Sequence, residues 1–211
     1  MHQQTGSLSR RRVEPLFDAG MALFFLSVWL APGTFGPADE VIRAAMVIMM
    51  VEFILIHSAG LLGVVAFAPE ITRQKKLAVM GGLSLFYLMF LAGMWAALEA
   101  WWVVLAFGWL LAGKLGIAFR RDASDDWRRE RMRTDWITSL SCYIVGVLIS
   151  MLGGVLPHFG ITPEFQPEFG ENTSGIWMDH PHGVVAMGVF YFTAMAIAKW
   201  RSSRRVRPAD G

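Results

Sequence analysis

Residues 51–63 read VEFILIHSAGLLG, and this stretch decides the fold. It places a carboxylate, Glu52, and an imidazole, His57, inside a run of otherwise apolar side chains. The apolar run extends over residues 40–67, which exceeds the roughly 20 residues that a helix needs to cross a hydrocarbon core. Burial of two ionisable groups there is costly unless other polar groups compensate, so both are candidate functional residues.

The composition of the whole chain agrees with a membrane location. Hydrophobic residues make up 55% of the 211 residues, charged residues only 17%, and the mean hydropathy is +0.44. Soluble globular domains carry about 25% charged residues. The sequence therefore predicts an all-α, polytopic integral membrane protein with one transmembrane domain and no sizeable soluble domain.

Six transmembrane helices are predicted in one bundle. Their ranges are 16–32, 40–67, 77–98, 101–119, 136–156 and 183–200, which together make residues 16–200 the membrane domain. The prediction leaves basic tails at 1–15 and 201–211 and an outer loop at 157–182. A basic stretch precedes the first apolar run, as in a signal peptide, but we interpret that run as the first membrane helix.

The basic residues of the connections predict the orientation. Lysine and arginine occur in both tails and in the connections after the second and fourth spans, whereas residues 32–39, 99–102 and 157–182 contain neither. Because basic residues favour the cytoplasmic side, we expect both termini in the cytoplasm. The predicted location is a plasma or inner membrane, as a multi-pass protein.

Small residues mark places where helices can approach closely. Gly146, Ser150 and Gly154 recur every four residues in the fifth predicted span, and Ala59 and Gly63 do so in the second. Such stripes let backbones touch in lipid. The pattern does not decide between a contact within one chain and a contact between protomers.

The second and fourth predicted spans place two ionisable groups at similar depth. At 1.5 Å per residue, Glu52 lies about 18 Å and Lys114 about 20 Å from the outer surface. Lys114 either pairs with Glu52 or extends to the cytoplasmic headgroups. Glu52 is either a proton- or cation-carrying site or a carboxyl that fixes helix packing.

His57 lies about 25 Å from the outer surface, nearer the cytoplasm. It follows Glu52 by five residues, so the two side chains leave the helix about 140° apart and do not share a face. His57 is either a proton relay or ligand, or a neutral core histidine bonded to a backbone carbonyl or to Ser58.

The outer loop holds a second constellation. His158, His180 and His182, with Asp179, are suitable ligands for zinc or copper, and three protein ligands plus water would suit a catalytic zinc. The spacing of these residues along the chain does not by itself identify a metal site. The alternative is a polar loop in which proline sets the turns and Pro181–His182 begins the sixth span.

Several functions are disfavoured. The chain has no phosphate-binding glycine motif and no G-x-S-x-G elbow, so neither nucleotide-driven pumping nor an esterase-type site is predicted. His57 and the outer-loop histidines differ in depth, which disfavours a haem bound between two histidines. Residues 120–135 carry charges of both signs, which argues against nucleic-acid binding.

These observations favour a transport or permeation protein over an enzyme. The cargo would be a proton, an ion or a small solute, Glu52 the central group, and His57 and Lys114 its charge environment. The alternatives are an accessory subunit of a larger membrane complex and a membrane metalloprotein or enzyme with an outer-face histidine site. The expected partners are the lipid bilayer and either further copies of this chain or a larger membrane protein.

Overall fold

A computed structural model describes residues 5–67, 72–98, 125–162 and 175–205. Within these ranges the chain forms helices joined by turns and has no β-strand. The helices are α1 (Thr5–Leu30), α2 (Ala38–Phe67), α3 (Arg73–Leu98), α4 (Asp125–Ser150), α5 (Ile176–Asp179) and α6 (Pro181–Arg205), and a 3-10 turn at Pro32–Thr34 joins α1 to α2. The predicted all-helical class is confirmed for these ranges.

Three of the described helices are long and apolar enough to cross a membrane. The qualifying segments are Ala38–Val65, Gln74–Gly93 and Pro181–Ser202, which match the second, third and sixth predicted spans. The apolar part of α1, Pro15–Leu30, is shorter. The fourth predicted span, 101–119, lies outside the described residues.

The fifth predicted span differs from the helix that the structure contains. α4 begins at Asp125, so part of the predicted charged loop is helical, and it ends at Ser150 rather than near residue 156. Residues 151–156 form turns that contain Gly153 and Gly154. These residues are as apolar as those before them, which is why the predicted span included them. The glycines and the following Pro157 nevertheless favour the end of a helix.

The chain divides into two compact units. Unit 1 comprises residues 1–49 and 140–211, and unit 2 comprises residues 50–139. The boundaries fall inside α2 and α4, so each of these helices contributes to both units.

The core of unit 1 lies between α1 and α6. Phe25 is fully buried, and its ring is 5.4 Å from that of Phe192. Gly188 makes this contact possible, because a Cβ there would overlap the Phe25 ring. On a neighbouring helix pair, the Tyr143 hydroxyl donates a 3.0 Å hydrogen bond to the Met49 carbonyl.

The small residues of α4 pack against α6 within the same chain. A Cβ at Gly146 would lie 3.0 Å from Met187 Cγ, and a Cβ at Gly183 would lie 2.8 Å from the Ser150 carbonyl oxygen. Close approach was predicted for Gly146 and Ser150, and the structure identifies α6 as their neighbour. The third residue of the predicted stripe, Gly154, is exposed, and its neighbour Gly153 is buried instead.

The end of α1 is tied to the segment that follows α4. Trp29 Nε1 donates to the Pro157 carbonyl oxygen at 3.0 Å, and the Gly160 amide donates to the Trp29 carbonyl oxygen at 3.0 Å. Gly160 has no room for a side chain, because a Cβ would meet the Leu30 carbonyl. The two hydrogen bonds and this close contact hold the segment against the end of α1.

Unit 2 contains a tight contact between the later half of α2 and the beginning of α4. Trp136 Nε1 donates to the Ile56 carbonyl oxygen at 3.0 Å. A Cβ at Gly60 would lie 2.5 Å from the same nitrogen, so the indole lies directly on the glycine. Gly60 therefore gives Trp136 access to the backbone of α2.

Candidate functional sites in the two units

Glu52 lies at the middle of an apolar helix. It is 14 residues after Ala38 and 13 before Val65, the ends of the candidate span in α2. At 1.5 Å per residue it is about 20 Å from either end. The side chain is half-buried between the buried residues Val51 and Ile54. Glu52 therefore lies near the middle of the candidate span, and its depth in a membrane stays a prediction.

His57 lies on a different stripe of α2. Its ring is exposed, with Nδ1 2.9 Å from the Phe53 carbonyl oxygen and the ring centroid 4.0 Å from that of Phe53. The same stripe continues through exposed apolar side chains, namely Met50, Phe53, Leu61 and Val64. The predicted separation from Glu52 agrees with these positions.

The bonding of His57 matches one of the expected arrangements, although its burial does not. The imidazole bonds to a backbone carbonyl of its own helix, whereas Ser58 is buried and donates to the Leu55 carbonyl oxygen at 3.1 Å. One of the two alternatives placed His57 in the core. The ring bonds instead to the carbonyl four residues earlier in its own helix, and a ring bonded in this way can stay on the outer surface of that helix. Lys114 lies outside the described residues.

An ion pair that was not predicted joins α1 to α6. Lys199 Nζ is 2.6 Å from Asp18 Oδ2, and the side chains are 31% and 8% exposed. Asp18 lies in the apolar segment of α1, and Lys199 lies near the end of the candidate span in α6. The sequence contains one acidic residue in the first apolar run and one basic residue in the last, and this pattern could have suggested the pair.

The histidines of the predicted outer loop converge in unit 1. The His182 ring centroid is 4.0 Å from that of His158 and 5.7 Å from that of His180. His182 is fully buried in the first turn of α6, His180 is half-buried and His158 is exposed. Asp179 is exposed beside them, at the end of α5.

Small and aromatic residues position this cluster. Trp177 Nε1 donates to Ser150 Oγ at 2.9 Å, which ties α5 to the end of α4. A Cβ at Gly153 would lie 2.8 Å from His180 Cβ, so the glycine lets His180 lie against the turn. The carbonyl oxygen of Gly153 is 2.6 Å from His182 Nε2.

The hydrogen bond to Gly153 sets the protonation of the neutral His182 ring. A carbonyl can only accept, so Nε2 carries the proton and Nδ1 keeps its lone pair. Nδ1 is buried and has no hydrogen-bond partner among the residues that the structure describes. A buried polar atom in this state is unusual in proteins.

Metal binding by this cluster stays a prediction. Within residues 5–67, 72–98, 125–162 and 175–205, no three His, Cys, Asp or Glu side chains stand in an arrangement that could hold a metal ion. His182 has a free nitrogen lone pair, but the three rings do not converge on one point as they stand.

Two kinds of chemistry are thus available, one in each unit. Unit 2 offers a carboxyl group within an apolar helix, which can exchange a proton or contact a cation. Unit 1 offers neutral imidazole nitrogen, which can accept a proton or donate to a metal ion. Comparisons with known protein families, with curated protein sequences and with solved structures each found no match for this chain.

Proposed function

We propose that this chain is a multi-pass membrane protein that carries or conducts a proton, an ion or a small solute, with Glu52 as the group that binds the cargo. The observation that carries the proposal is the half-buried position of Glu52 at the middle of the apolar stretch of α2. A carboxylate at that depth is costly, and such residues frequently lie on proton and ion pathways. The competing role is a carboxyl that only fixes helix packing.

The proposal extends to six spans with both termini in the cytoplasm. Its support is the alternation of basic and non-basic connections along the sequence. In this topology α2 would cross from the outer to the inner side, and the sequence alone predicts Lys114 at the depth of Glu52. We propose that Lys114 and His57 set the charge around the carboxyl group.

The proposed surroundings are the lipid bilayer and, in an oligomer, further copies of the chain. Large apolar side chains are exposed along α3, among them Phe86, Met89 and Phe90. Lipid acyl chains suit such a surface, because they are as apolar as the side chains themselves. A larger membrane partner, as for an accessory subunit, would be detected by co-purification.

A flux assay with one conservative variant tests the role of Glu52. The purified protein is reconstituted into liposomes, and the flux of protons, monovalent cations and small solutes is measured with entrapped dyes. Glu52→Gln keeps the size of the side chain but cannot ionise, so flux should fall by at least about tenfold. Glu40→Gln is the matched control, because Glu40 is an exposed acidic residue in the first turn of the same helix.

The same assay separates transport from a packing role. A wild-type protein that moves none of the tested cargoes, or a Glu52→Gln variant with unchanged flux, contradicts the proposal. A packing role predicts instead that Glu52→Gln lowers the unfolding temperature in detergent while the flux per folded molecule stays constant.

A further inference from the structure

We infer that the start of α1 and the end of α6 form one binding surface for the phosphate headgroups of anionic phospholipids. This arginine surface consists of Arg10, Arg11, Arg12, Arg201, Arg204 and Arg205. It lies in unit 1 and shares no residue with the Glu52 region. The inference rests on the proposed membrane location, but it does not require that the chain transports a cargo.

The contacts between α1 and α6 define how the two helices are aligned. The Phe25 ring packs on the Phe192 ring at 5.4 Å, and Lys199 Nζ lies 2.6 Å from Asp18 Oδ2. Seven residues separate the two contacts on each helix, backward along α1 from Phe25 to Asp18 and forward along α6 from Phe192 to Lys199. The helices are therefore antiparallel, and each step toward the start of α1 corresponds to one step toward the end of α6.

The same alignment brings arginines of the two helices to one end of the pair. Arg12 precedes Asp18 by six residues, and Arg205 follows Lys199 by six residues. Both positions are helical, because α1 begins at Thr5 and α6 ends at Arg205. At 1.5 Å per residue, each position lies about 9 Å beyond the ion pair along the helix axis. Two distant parts of the sequence thus contribute arginines at the same level.

The charge at this end is almost entirely of one sign. Residues 5–17 and 200–205 together contain six arginines and one acidic residue, Glu14, which gives a formal charge of +5. Asp18 does not offset this charge, because it is already paired with Lys199. Residues 120–135 also contain six arginines, but their five acidic residues reduce the formal charge to +1. An anionic partner is therefore favoured at the arginine surface much more than at residues 120–135.

The distance from the apolar segments selects a phospholipid over other anions. Arg12 precedes the apolar segment Pro15–Leu30 by three residues, and Arg205 follows the segment Pro181–Ser202 by three. Three residues span about 5 Å along a helix, and the polar layer on each side of a bilayer is about 5–7 Å thick. With the apolar segments in the hydrocarbon core, the backbone of these arginines lies in the layer of the lipid phosphates. Guanidinium groups bind phosphate with two parallel hydrogen bonds.

The described side chains next to the arginines suit the same surroundings. Leu16, Phe17 and Trp200 are exposed. Apolar side chains at this level can contact acyl chains, and tryptophan is favoured at the boundary between lipid and water. A soluble polyanion such as a nucleic-acid duplex offers phosphates but no acyl chains. In the proposed topology this end faces the cytoplasmic leaflet, which carries anionic lipids.

The experiment is a lipid titration of the full-length protein in a neutral detergent. The lipids are phosphatidylglycerol and phosphatidylcholine with the same short acyl chains, and native mass spectrometry counts the lipid molecules bound per chain. We expect phosphatidylglycerol to bind at least about tenfold more tightly than phosphatidylcholine at low salt. This preference should largely disappear at about 0.5 M salt, because salt screens exposed charges.

Two variants test whether both helices form the surface. Each replaces the three arginines of one helix by glutamine, namely R10Q/R11Q/R12Q on α1 and R201Q/R204Q/R205Q on α6. Each variant removes three positive charges, so each should weaken phosphatidylglycerol binding by at least about tenfold. Binding of phosphatidylcholine should change much less, because its headgroup carries no net charge.

Two matched controls complete the set. R128Q/R129Q/R133Q removes the same number of charges from residues 120–135 and should change phosphatidylglycerol binding by less than about threefold. Glu52→Gln removes the proposed transport group and should bind phosphatidylglycerol as the wild type does. Lipid binding and flux therefore report on separate proposals.

Equal binding of the two lipids by the wild type overturns the inference without the use of any variant. A loss confined to one of the two helices, or an equal loss in R128Q/R129Q/R133Q, also overturns it. So does displacement of phosphatidylglycerol by millimolar inorganic phosphate, or tighter binding of an oligonucleotide than of phosphatidylglycerol, because either result assigns the surface to a soluble anion. None of these outcomes depends on whether the protein transports a solute.

Discussion

Helices α6 and α3 are both long and apolar enough to cross a membrane, but the rest of the protein buries a much larger fraction of α6 than of α3. In the apolar segment of α6, 61% of the residues are buried, compared with 17% in that of α3. Both helices contain glycines. A Cβ at Gly183 or Gly188 of α6 would press on a neighbouring element. Among the described residues, a Cβ at Gly81, Gly82 or Gly93 of α3 would meet no atom of another element within 4 Å. Glycine in an apolar helix thus permits a close contact without indicating that one exists.

Among the variants proposed here, we expect the largest loss of stability from a substitution in the contact between α6 and α1. In Gly188→Ala the new methyl group would overlap the fully buried Phe25 ring. We expect the free energy of unfolding to fall by about 3 kcal/mol, the upper end for an overpacked core. The measurement is thermal or denaturant unfolding of the purified protein in detergent.

The matched control for this variant lies on α3. Gly82→Ala adds the same methyl group where no described atom outside the backbone of α3 lies within 4 Å, and alanine is the better helix former by up to about 1 kcal/mol. Its stability should be unchanged or slightly higher. Equal destabilisation of the two variants would refute the contrast between the helices.

The ion pair of α6 gives the next largest effect. Lys199→Met leaves the Asp18 carboxylate buried without its cation. Loss of one partner from a buried pair costs about 3–5 kcal/mol, and because Lys199 is 31% exposed we expect about 2 kcal/mol here. The double variant Asp18→Asn/Lys199→Met should regain most of this loss in the same unfolding assay. A double variant as unstable as Lys199→Met would show that the unpaired Asp18 carboxylate does not cause the loss of stability.

The smallest effect is expected on the exposed side of α3. Phe86 is 57% exposed, so Phe86→Ala should change the free energy of unfolding by no more than about 0.5 kcal/mol. Leu91 on the same helix is fully buried, and Leu91→Ala should cost at least about 2 kcal/mol. A large loss for Phe86→Ala, together with a smaller particle in size-exclusion chromatography, would show that another copy covers this side of α3.

The three long apolar helices could be predicted because the hydropathy of many consecutive residues adds up over the length of each helix. The ranges 40–67, 77–98 and 183–200 each lie within a helix that extends at most four residues further at the start and five at the end. The start of α4 could not be read from hydropathy, because its first turns are charged. Its end at Ser150 depends on glycines that the average over an apolar window conceals.

The polar sites were predictable in part. The position of Glu52 near the middle of the apolar stretch of α2 and its separation from His57 follow from the rise and the turn of one helix. The Asp18–Lys199 pair joins residues 181 positions apart in sequence, and only the packing of α1 against α6 brings them together. The contact of His182 with the Gly153 carbonyl oxygen has a similar cause, because it joins residues 29 positions apart in sequence.

The division of the chain into two units also constrains the order in which the protein can assemble. Unit 2 is one continuous stretch, whereas unit 1 joins the first 49 residues to a segment that begins at residue 140. During synthesis, α1 is therefore made before α6 and before the Pro157 carbonyl to which Trp29 bonds. The core between α1 and α6 can therefore close only after the whole of unit 2 has been made.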